Sequence, residues 1–332
     1  SFTQNWLINN KNKIAQLIVS AREINKFHGT FLSSIMKYQV NGRIHGEINQ
    51  LRGDNGGTVS GRLSMSNPNL QQVPARNKDF GPKIRSLFIP EEGYKWGSFD
   101  YSQQEPRMTV HYAASIGDGY EGSNELVEAY QNASADFHQT VADLVGIERT
   151  QAKTIGLGLM YGMGKNKLAI SLGVSKDEAD ELIIKYNKKV PFVKKLSDRC
   201  KYAADEKGVI RTKKGRKCRF DLWETRDFGL HIAEKYEDAV AKYGKDNIKR
   251  AYTYKALNRL IQGSSADQTK QSMLDCYTSG HLPMLQIHDE LCFNIKDDEH
   301  AKEIQKIMQK AIEFKVPSVV DYGLGESWGD AK

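Results

Sequence analysis

Two strand-like apolar runs, each ending near a carboxylate, constrain most strongly what this 332-residue chain can fold into. One run spans residues 94–102 and carries Asp100, and the other spans residues 284–293 and carries Asp289. Strand formation does not require a charged side chain at either position. If folding brings Asp100 and Asp289 together, the pair offers ligands for two Mg²⁺ ions, an arrangement used for in-line phosphoryl transfer.

The sequence between these runs is predicted to be mostly helical, over residues 122–205. Within it, Arg149, Lys153 and Tyr161 are spaced by four and eight residues, so they share one side of a helix. Such a face is usually just solvated, but here its two cations would suit a triphosphate. Strands at both ends with helices between them indicate an α+β fold, in which a sheet carries a helical insertion.

Apolar periodicity and turn residues predict the remaining elements. They are helix over residues 4–40, short strands and loops over 41–75, a basic hairpin over 208–220, helix over 231–278, two strands over 282–296, and helix over 297–314 before a short tail. Pro106 fits the first turn of a helix after the Asp100 strand, because the N–H that proline lacks has no helical partner there.

Composition narrows the class of protein. The net charge of +7 and the pI near 9.0 favour a polyanionic partner. A hydrophobic content of 39% with 27% charged residues is typical of a folded, soluble chain. The four cysteines form no Cys-x-x-Cys pair, which indicates inert thiols in a reducing compartment. No apolar run approaches the ~18 residues of a membrane span, so no membrane partner is expected.

The residues around both aspartates match the motifs of one enzyme family. Residues 99–107 read Phe-Asp-Tyr-Ser-Gln-Gln-Glu-Pro-Arg, and residues 286–291 read Gln-Ile-His-Asp-Glu-Leu. They resemble motifs A and C of the family A (DNA polymerase I-like) DNA polymerases. A lone Asp after a strand is usually a turn former or a helix N-cap. Two motifs in the correct order argue against that explanation here.

The helical segment supplies a third match. It places Arg149, Lys153, Leu157 and Tyr161 at intervals of four residues, and Gly162 follows. This pattern resembles motif B, the nucleotide-binding helix of the polymerase fingers. The family usually has Phe or Tyr at the position of Leu157. The family's preference between ribose, deoxyribose and dideoxyribose therefore does not transfer to this chain.

Shorter matches cover much of the remaining chain. Residues 60–64 and 67–74 resemble the family segments T-G-R-L-S and P-N-L-Q-N-I-P, and residues 136–138 resemble its D-x-H. Residues 258–263 contain the pattern N-x-x-x-Q-G, which in the family contacts minor-groove acceptors that every base pair presents. Each of these matches alone would describe ordinary surface residues.

The resemblance extends over residues 20–329 and implies a right-hand polymerase fold of the phage type, with an antiparallel palm sheet and a helical fingers insertion. The thumb is expected to be mostly missing. The implied domains are the end of the thumb and the return to the palm (1–50), the palm with motif A (51–121), the fingers with motif B (122–235), and the palm with motif C and the C-terminus (236–332).

The resemblance also implies site roles. Asp100 and Asp289 would be the ligands of two Mg²⁺ ions, and Glu290 a further catalytic carboxylate. Lys153 would donate a proton to pyrophosphate, and Glu105, held by Tyr161, would exclude a ribose 2′-OH. The residues expected to bind the incoming nucleotide are Tyr101, Glu105, His138, Arg149, Lys153, Leu157 and Tyr161. The residues expected to contact DNA are Arg62, Asn258, Gln262 and His288.

Three functions remain open from sequence. A template-directed DNA polymerase is favoured, with primer–template DNA and dNTPs as partners. A single-subunit RNA polymerase shares the palm carboxylates and the fingers cations, although Glu105 and the His288-Asp289-Glu290 triplet favour DNA. A DNA-binding fragment that is inactive without its thumb is the third. A separate chain carrying the thumb and a 3′–5′ exonuclease would be a further partner, and the expected compartment is the cytoplasm of a bacterium or a phage-infected host cell.

Overall fold

The computed structural model describes residues 2–51, 53, 56–74, 77, 79–131, 136–227, 229 and 231–331. It begins with helices α1 (Gln4–Asn9), α2 (Lys13–Lys26) and α3 (Ser34–Lys37), the last two joined by a π-helical segment at Phe27–Ser33. The side-chain oxygens of Thr3 and Asn12 accept hydrogen bonds from backbone N–H groups and so cap α1 and α2. The helical prediction for residues 4–40 is confirmed as far as Lys37, apart from a break between α1 and α2, and it is wrong at residues 39–40, which form a strand.

Short strands connect these helices to the central sheet. They are β1 (Gln39–Val40) paired with β2 (Arg43–Ile44), and β3 (Glu47–Asn49) paired with β4 (Ser64–Ser66). A 3₁₀ turn at Leu70–Gln72 and helix α4 (Gly81–Arg85) follow. The prediction of strands and loops over 41–75 is confirmed for the described part, and residues 52, 54, 55 and 75 lie outside it.

The first strand of the central sheet, β5 (Lys95–Tyr101), leads into helix α5 (Gln104–Ala114). Its side chains alternate between two faces. Phe99 and Tyr101 enter one hydrophobic cluster, and Trp96 enters a second cluster on the other face. Asp100 is exposed near the end of the strand. Pro106 lies in the first turn of α5, as predicted.

Six helices form the insertion that follows α5. They are α6 (Ser123–Gln131), α7 (Phe137–Val145), α8 (Arg149–Met160), α9 (Lys165–Leu172), α10 (Lys176–Lys189) and α11 (Pro191–Lys207). Their shared core contains large buried side chains, including Tyr130, Phe137, Ile155, Tyr186 and Phe192. The helical prediction for residues 122–205 is confirmed wherever the structure describes them, and residues 132–135 lie outside the described part.

The basic hairpin is present as β6 (Val209–Arg211) and β7 (Lys217–Arg219), with Gly215 at φ +84° in the turn. The prediction of helix over 231–278 is confirmed for α12 (Tyr236–Tyr243) and is wrong for the residues that follow it. There β9 (Ile248–Arg250) pairs with β8 (Trp223–Thr225), which precedes α12 in the chain. Gly244 ends α12 with a positive φ, and Ile248–Arg250 then finds an antiparallel partner. The helix resumes as α13 (Ala256–Thr278).

The C-terminal region completes the central sheet with β10 (Leu285–Ile287), β11 (Glu290–Ile295), α14 (Asp298–Lys310) and β12 (Val320–Gly325). The strand order is β10-β11-β5-β12, and every pairing is antiparallel. The predicted tail is therefore partly a strand. The sequence did not indicate it, because Gly323 and Gly325 have low strand propensity. Gly325 is required there, because an added Cβ would lie 2.6 Å from the backbone of Asp330.

All four cysteines are buried free thiols, as predicted. Burial raises the pKa of the Cys200 and Cys276 thiols to about 12, so neither is a nucleophile at neutral pH. Within the described ranges, no helix has both the length and the apolar character needed to cross a membrane.

Candidate active site

Strand pairing in the central sheet brings Asp100 and Asp289 together. Asp100 lies near the end of β5, directly opposite Glu290 on β11. One residue further on, the N–H of Tyr101 donates to the backbone carbonyl of Asp289 at 3.4 Å. Because neighbouring strands lie about 4.8 Å apart, the two aspartates occupy adjacent positions at one end of the sheet.

Asp289 lies in the tight turn between β10 and β11. The preceding residue, His288, has a φ of +57°, a left-handed conformation that is uncommon for a non-glycine residue. Burial raises the pKa of the Asp289 carboxyl above its ordinary value, and the nearby charge of Glu105 raises it further. A hydrogen bond from its own backbone N–H and the positive charge of Arg62 lower it. A carboxylate in such a place gains from a bound cation.

The two aspartates are the donor set that this end of the sheet offers to a metal. Among the residues described, no group of three or more His, Cys, Asp or Glu side chains is arranged to hold an ion. Mg²⁺ prefers oxygen ligands and is commonly bound by one or two carboxylates together with substrate phosphates. Two carboxylates suit Mg²⁺ when water or substrate phosphate completes its coordination.

Glu290 is held differently from the aspartates. It is 8% exposed, and its Oε1 accepts hydrogen bonds from Trp328 Nε1 at 3.3 Å and from Cys292 Sγ at 3.6 Å. The buried guanidinium of Arg85 stacks 4.3 Å above the Trp328 ring and lies within the electrostatic reach of Glu290. The expected catalytic role of Glu290 stays a prediction. Its Oε1 belongs to this buried network.

Glu105 links two of the predicted motifs. Its Oε1 accepts a hydrogen bond from Arg62 Nη2 at 2.6 Å, and its Oε2 accepts one from the Tyr161 hydroxyl at 2.5 Å. The Tyr161 hydroxyl also hydrogen-bonds Gln262, and burial together with the charge of Glu105 raises its pKa. The predicted contact between Glu105 and Tyr161 is present. These residues and Asp289 form one polar cluster, in which Arg62 reduces the repulsion between the carboxylates.

The predicted face of α8 is present and open to solvent. Arg149 and Lys153 are exposed, and Leu157 is half-buried one turn further along. Arg149 Nη2 forms an ion pair with Asp136 Oδ2 at 2.6 Å. The helix ends at Tyr161 because Gly162 adopts φ +68°, where an added Cβ would lie 3.0 Å from the ring of Tyr254.

His138 differs from the prediction of an open triphosphate ligand. Its side chain is 4% exposed, and Nδ1 has no hydrogen-bond partner. Burial lowers the pKa of His138 to about 4, and the charges of Lys153 and Arg149 act in the same direction. The imidazole is therefore neutral at pH 7. It could reach a phosphate only as a neutral donor, and only after the surrounding side chains move.

Tyr101 is a second correction. It was predicted to bind the nucleotide, but its side chain lies in the core on the helical side of the sheet. Its hydroxyl hydrogen-bonds Ser272 Oγ and the backbone carbonyl of Met308, both at 2.5 Å. Strand alternation explains this, because Asp100 points to the open face and its neighbour must point away. Only the backbone of Tyr101 faces the site.

The predicted DNA-contacting residues border the same cluster. Asn258 and Gln262 lie one turn apart on α13, both half-buried, and His288 is exposed in the turn before Asp289. Arg62 is paired with Glu105 in this structure. At Gly263, the residue after Gln262, an added Cβ would lie 3.3 Å from the Ser60 carbonyl. A glycine at this position therefore lets α13 pack closely against the loop that carries Arg62.

Sequence reasoning missed the residues that anchor this loop. Asp267 is 8% exposed on α13 and accepts hydrogen bonds from Arg216 Nε and Thr212 Oγ1, each at 2.6 Å. The Arg216 guanidinium also lies where a Cβ on Gly61 would be, at 2.6 Å. No local sequence pattern signals this contact, because Asp267 lies 51 residues after Arg216 in the chain. One cation of the basic hairpin is thus used inside the protein.

The comparisons with known proteins agree with this geometry. A family model described as DNA polymerase family A matches residues 3–330, so the chain belongs to this family. It is 39% identical to a DNA-directed DNA polymerase of Pseudomonas phage M6, over 95% of this chain and 51% of that protein. It is 30% identical to DNA polymerase I of Geobacillus stearothermophilus, over 97% of this chain and 35% of that protein.

A solved structure gives the same result for the fold. The POL domain of Pol1 from M. smegmatis, in complex with DNA primer-template and dNTP, matches with a TM-score of 0.80 and 26% sequence identity. The match covers 100% of this chain and 57% of that one. The architecture is therefore an α+β right-hand polymerase fold, with an antiparallel palm sheet and a helical fingers insertion. The chain spans about half the length of the phage relatives it matches.

Proposed function

We propose that this chain is the palm and fingers of a template-directed DNA polymerase that adds deoxynucleotides to a primer 3′-OH. The observation that carries the proposal is the position of Asp100 on β5 next to Asp289 in the β10–β11 turn, beside the hydrogen-bonded Glu105 and Tyr161. Two carboxylates at the end of a sheet, next to a helix with two exposed cations, suit phosphoryl transfer from a triphosphate.

In this mechanism Asp100 and Asp289 would hold two Mg²⁺ ions. When bound, such ions lower the pKa of an attacking hydroxyl and neutralise charge on phosphates. The contribution of the chain is to orient the reactants and to hold the two aspartates at the end of a rigid ladder. Glu290 would be a further catalytic carboxylate beside them, directly opposite Asp100 on the neighbouring strand.

Arg149 and Lys153 would bind the triphosphate from the fingers side. Arg149 must exchange Asp136 for phosphate, which is feasible because both partners of that ion pair are partly exposed. Lys153 has no competing ion pair among the contacts of the described residues, and it is the proposed proton donor to pyrophosphate. His138 would act as a neutral donor beneath them.

Glu105 would act as the steric gate. Its carboxylate is fixed from both sides by Arg62 and Tyr161, so it cannot easily turn away from a 2′-OH. Leu157, one turn before Tyr161 on α8, would line the sugar pocket. A fixed carboxylate would clash with the 2′-OH of a ribonucleotide. This clash would give the selection for deoxyribose that a DNA polymerase needs.

Arg62, Asn258, Gln262 and His288 would contact the primer–template duplex. Their polar groups border the Glu105 cluster, and the net charge of +7 favours a polyanion. We further propose the predicted domain division, action in the cytoplasm of a bacterium or a phage-infected cell, and a partner polypeptide that carries the thumb and a 3′–5′ exonuclease.

Primer extension with Mg²⁺ tests the proposal. The chain should extend a primer with dNTPs, and Asp100→Asn and Asp289→Asn should each reduce extension at least ~1,000-fold, because a charged ligand is lost. Asp198→Asn, which removes an exposed carboxylate on α11, should not. Extension with NTPs instead of dNTPs would favour the RNA polymerase alternative. Duplex binding without extension by any nucleotide would favour a DNA-binding fragment.

A further inference from the structure

A chain of amide hydrogen bonds supports the turn that carries Asp289. Gln286 on β10 is only 5% exposed, which is unusual for a glutamine. Its Nε2 donates to the backbone carbonyl of His288 at 2.6 Å. Its Oε1 accepts a hydrogen bond at 2.8 Å from Nε2 of Gln71, in the 3₁₀ turn Leu70–Gln72. Gln71, from a distant part of the chain, thus holds the side chain that bonds the turn carbonyl, and its Nε2 also lies 3.4 Å from the main-chain carbonyl of Gln286.

The bonded carbonyl determines the direction of Asp289. The His288 carbonyl, the Asp289 N–H and the Asp289 Cα belong to the same planar peptide unit. A hydrogen bond that fixes the carbonyl therefore also fixes the orientation of the backbone that carries the Asp289 side chain. His288 is in the left-handed region at φ +57°, which costs about 1–2 kcal/mol for a residue with a Cβ. A short hydrogen bond to the His288 carbonyl offsets part of that cost and resists relaxation of the turn.

We infer that Gln286 is a positioning residue for Asp289, and that Gln71 supports it through Gln286 Oε1. Neither side chain is proposed to touch metal or substrate. The consequence for catalysis rests on the proposed function, because the aim of the Asp289 carboxylate matters there only if it holds Mg²⁺. Groups that orient metal ligands in this way commonly change metal affinity by 10–100-fold when removed.

The chain offers a matched control for the main variant. Gln286→Met keeps an unbranched side chain of similar length but removes both amide hydrogen bonds. Gln305 on α14 also donates its Nε2 to a backbone carbonyl, that of Val320, at the same 2.6 Å. Gln305→Met therefore deletes an equivalent bond at the other edge strand of the sheet, away from the Asp289 turn.

The test measures binding of Mn²⁺ alone to the full chain, by electron paramagnetic resonance of the free ion. Gln286→Met should weaken Mn²⁺ binding about 10-fold. It should raise by a similar factor the Mg²⁺ concentration for half-maximal primer extension, with duplex affinity unchanged. Gln305→Met should change neither quantity. Gln71→Met leaves the bond between Gln286 and His288 in place, so its effect should have the same sign and be smaller.

The outcomes separate the two ideas. Unchanged Mn²⁺ affinity in Gln286→Met would overturn the positioning role, and so would an equal loss in Gln305→Met. If Gln286→Met does not fold, Gln71→Met decides in the same way, since that side chain is only half-buried. If the wild-type chain binds Mn²⁺ with the expected dependence on Gln286 but extends no primer, the proposed function fails and the positioning role stands.

Discussion

The sheet and the fingers present their charged groups to the site in different ways. Asp100 belongs to β5, which is hydrogen-bonded on both sides, and Asp289 follows directly in the same ladder through the Tyr101 N–H. Arg149 and Lys153 instead extend from the surface of α8, and Arg149 is already engaged with Asp136. The carboxylates are therefore positioned by backbone, and the cations by side chains that can exchange partners.

This difference fits the separate tasks proposed for the two regions. Paired metal ligands must be held to within a fraction of an ångström, which a strand ladder achieves better than a helix surface. Groups that receive and release a triphosphate in every cycle need to move. The predictions below therefore separate effects on the rate of nucleotide addition from effects on nucleotide binding, and effects of the sheet from effects of the fingers.

Lys153→Ala should give the largest effect among changes in the fingers. Loss of a proton donor to the leaving pyrophosphate should lower the single-turnover rate of nucleotide addition about 1,000-fold. Arg149→Ala should mainly raise KM for the dNTP, because Arg149 is proposed to bind the triphosphate without transferring a proton. Rapid-quench kinetics of the two variants measures the split.

Lys167→Ala is the control for lost positive charge, since Lys167 is exposed on the neighbouring α9. It should leave both constants near wild-type values. If Lys153→Ala raised KM without lowering the rate, Lys153 would bind the triphosphate as Arg149 does. The fingers would then supply no proton donor.

Acid sensitivity should come from both regions. Burial lowers the pKa of His138 on α7 and of His111 on α5 to about 4, against about 6.5 in an unfolded chain. The unfolded state then binds more protons, so stability is complete above about pH 6.5 and falls as the pH drops towards 4. Each histidine should account for about 3 kcal/mol of that loss at pH 4, measured by urea unfolding.

His138→Gln and His111→Gln should each flatten the dependence of unfolding free energy on pH between about 6.5 and 4. The two buried rings differ in one respect. His111 Nδ1 accepts a hydrogen bond from the Lys315 N–H at 3.1 Å, whereas His138 Nδ1 has no partner. Equal slopes in wild type and both variants would contradict this assignment.

Glu105→Ala tests the point where the two regions meet. Removing the carboxylate between Arg62 and Tyr161 should open space for a 2′-OH and lower the preference for dNTP over NTP by roughly 100-fold. Tyr161→Phe removes the hydroxyl and with it the hydrogen bonds to Glu105 and Gln262, but it leaves the carboxylate in place, so its effect should be smaller. The ratio of kcat/KM values for the two sugars is the measurement, and an unchanged ratio in Glu105→Ala would remove Glu105 from sugar selection.

The sequence predicted those features that depend on neighbouring residues. Alternating apolar runs predicted β5 and the β10–β11 hairpin, and the spacing of four predicted the shared face of α8. It did not predict β12, because Gly323 and Gly325 carry no strand signal, nor β9, whose partner lies across α12. The burial of His138 and the tie between Glu290 and Trp328 depend on tertiary packing, which no local pattern reports.

Asp136→Asn should give the smallest effect. The asparagine oxygen can still accept from the N–H groups of His138 and Gln139, so the N-cap of α7 remains. The lost ion pair joins side chains that are 44% and 28% exposed, and such pairs contribute about 0–1 kcal/mol. Arg149 would then be free for phosphate, and KM for the dNTP should fall roughly 2-fold, by up to about 0.5 kcal/mol in binding. Asp136→Ala also loses the cap and should cost about 1 kcal/mol of stability. A rise in KM for Asp136→Asn would mean that Asp136 orients Arg149 for the nucleotide and does not restrain it.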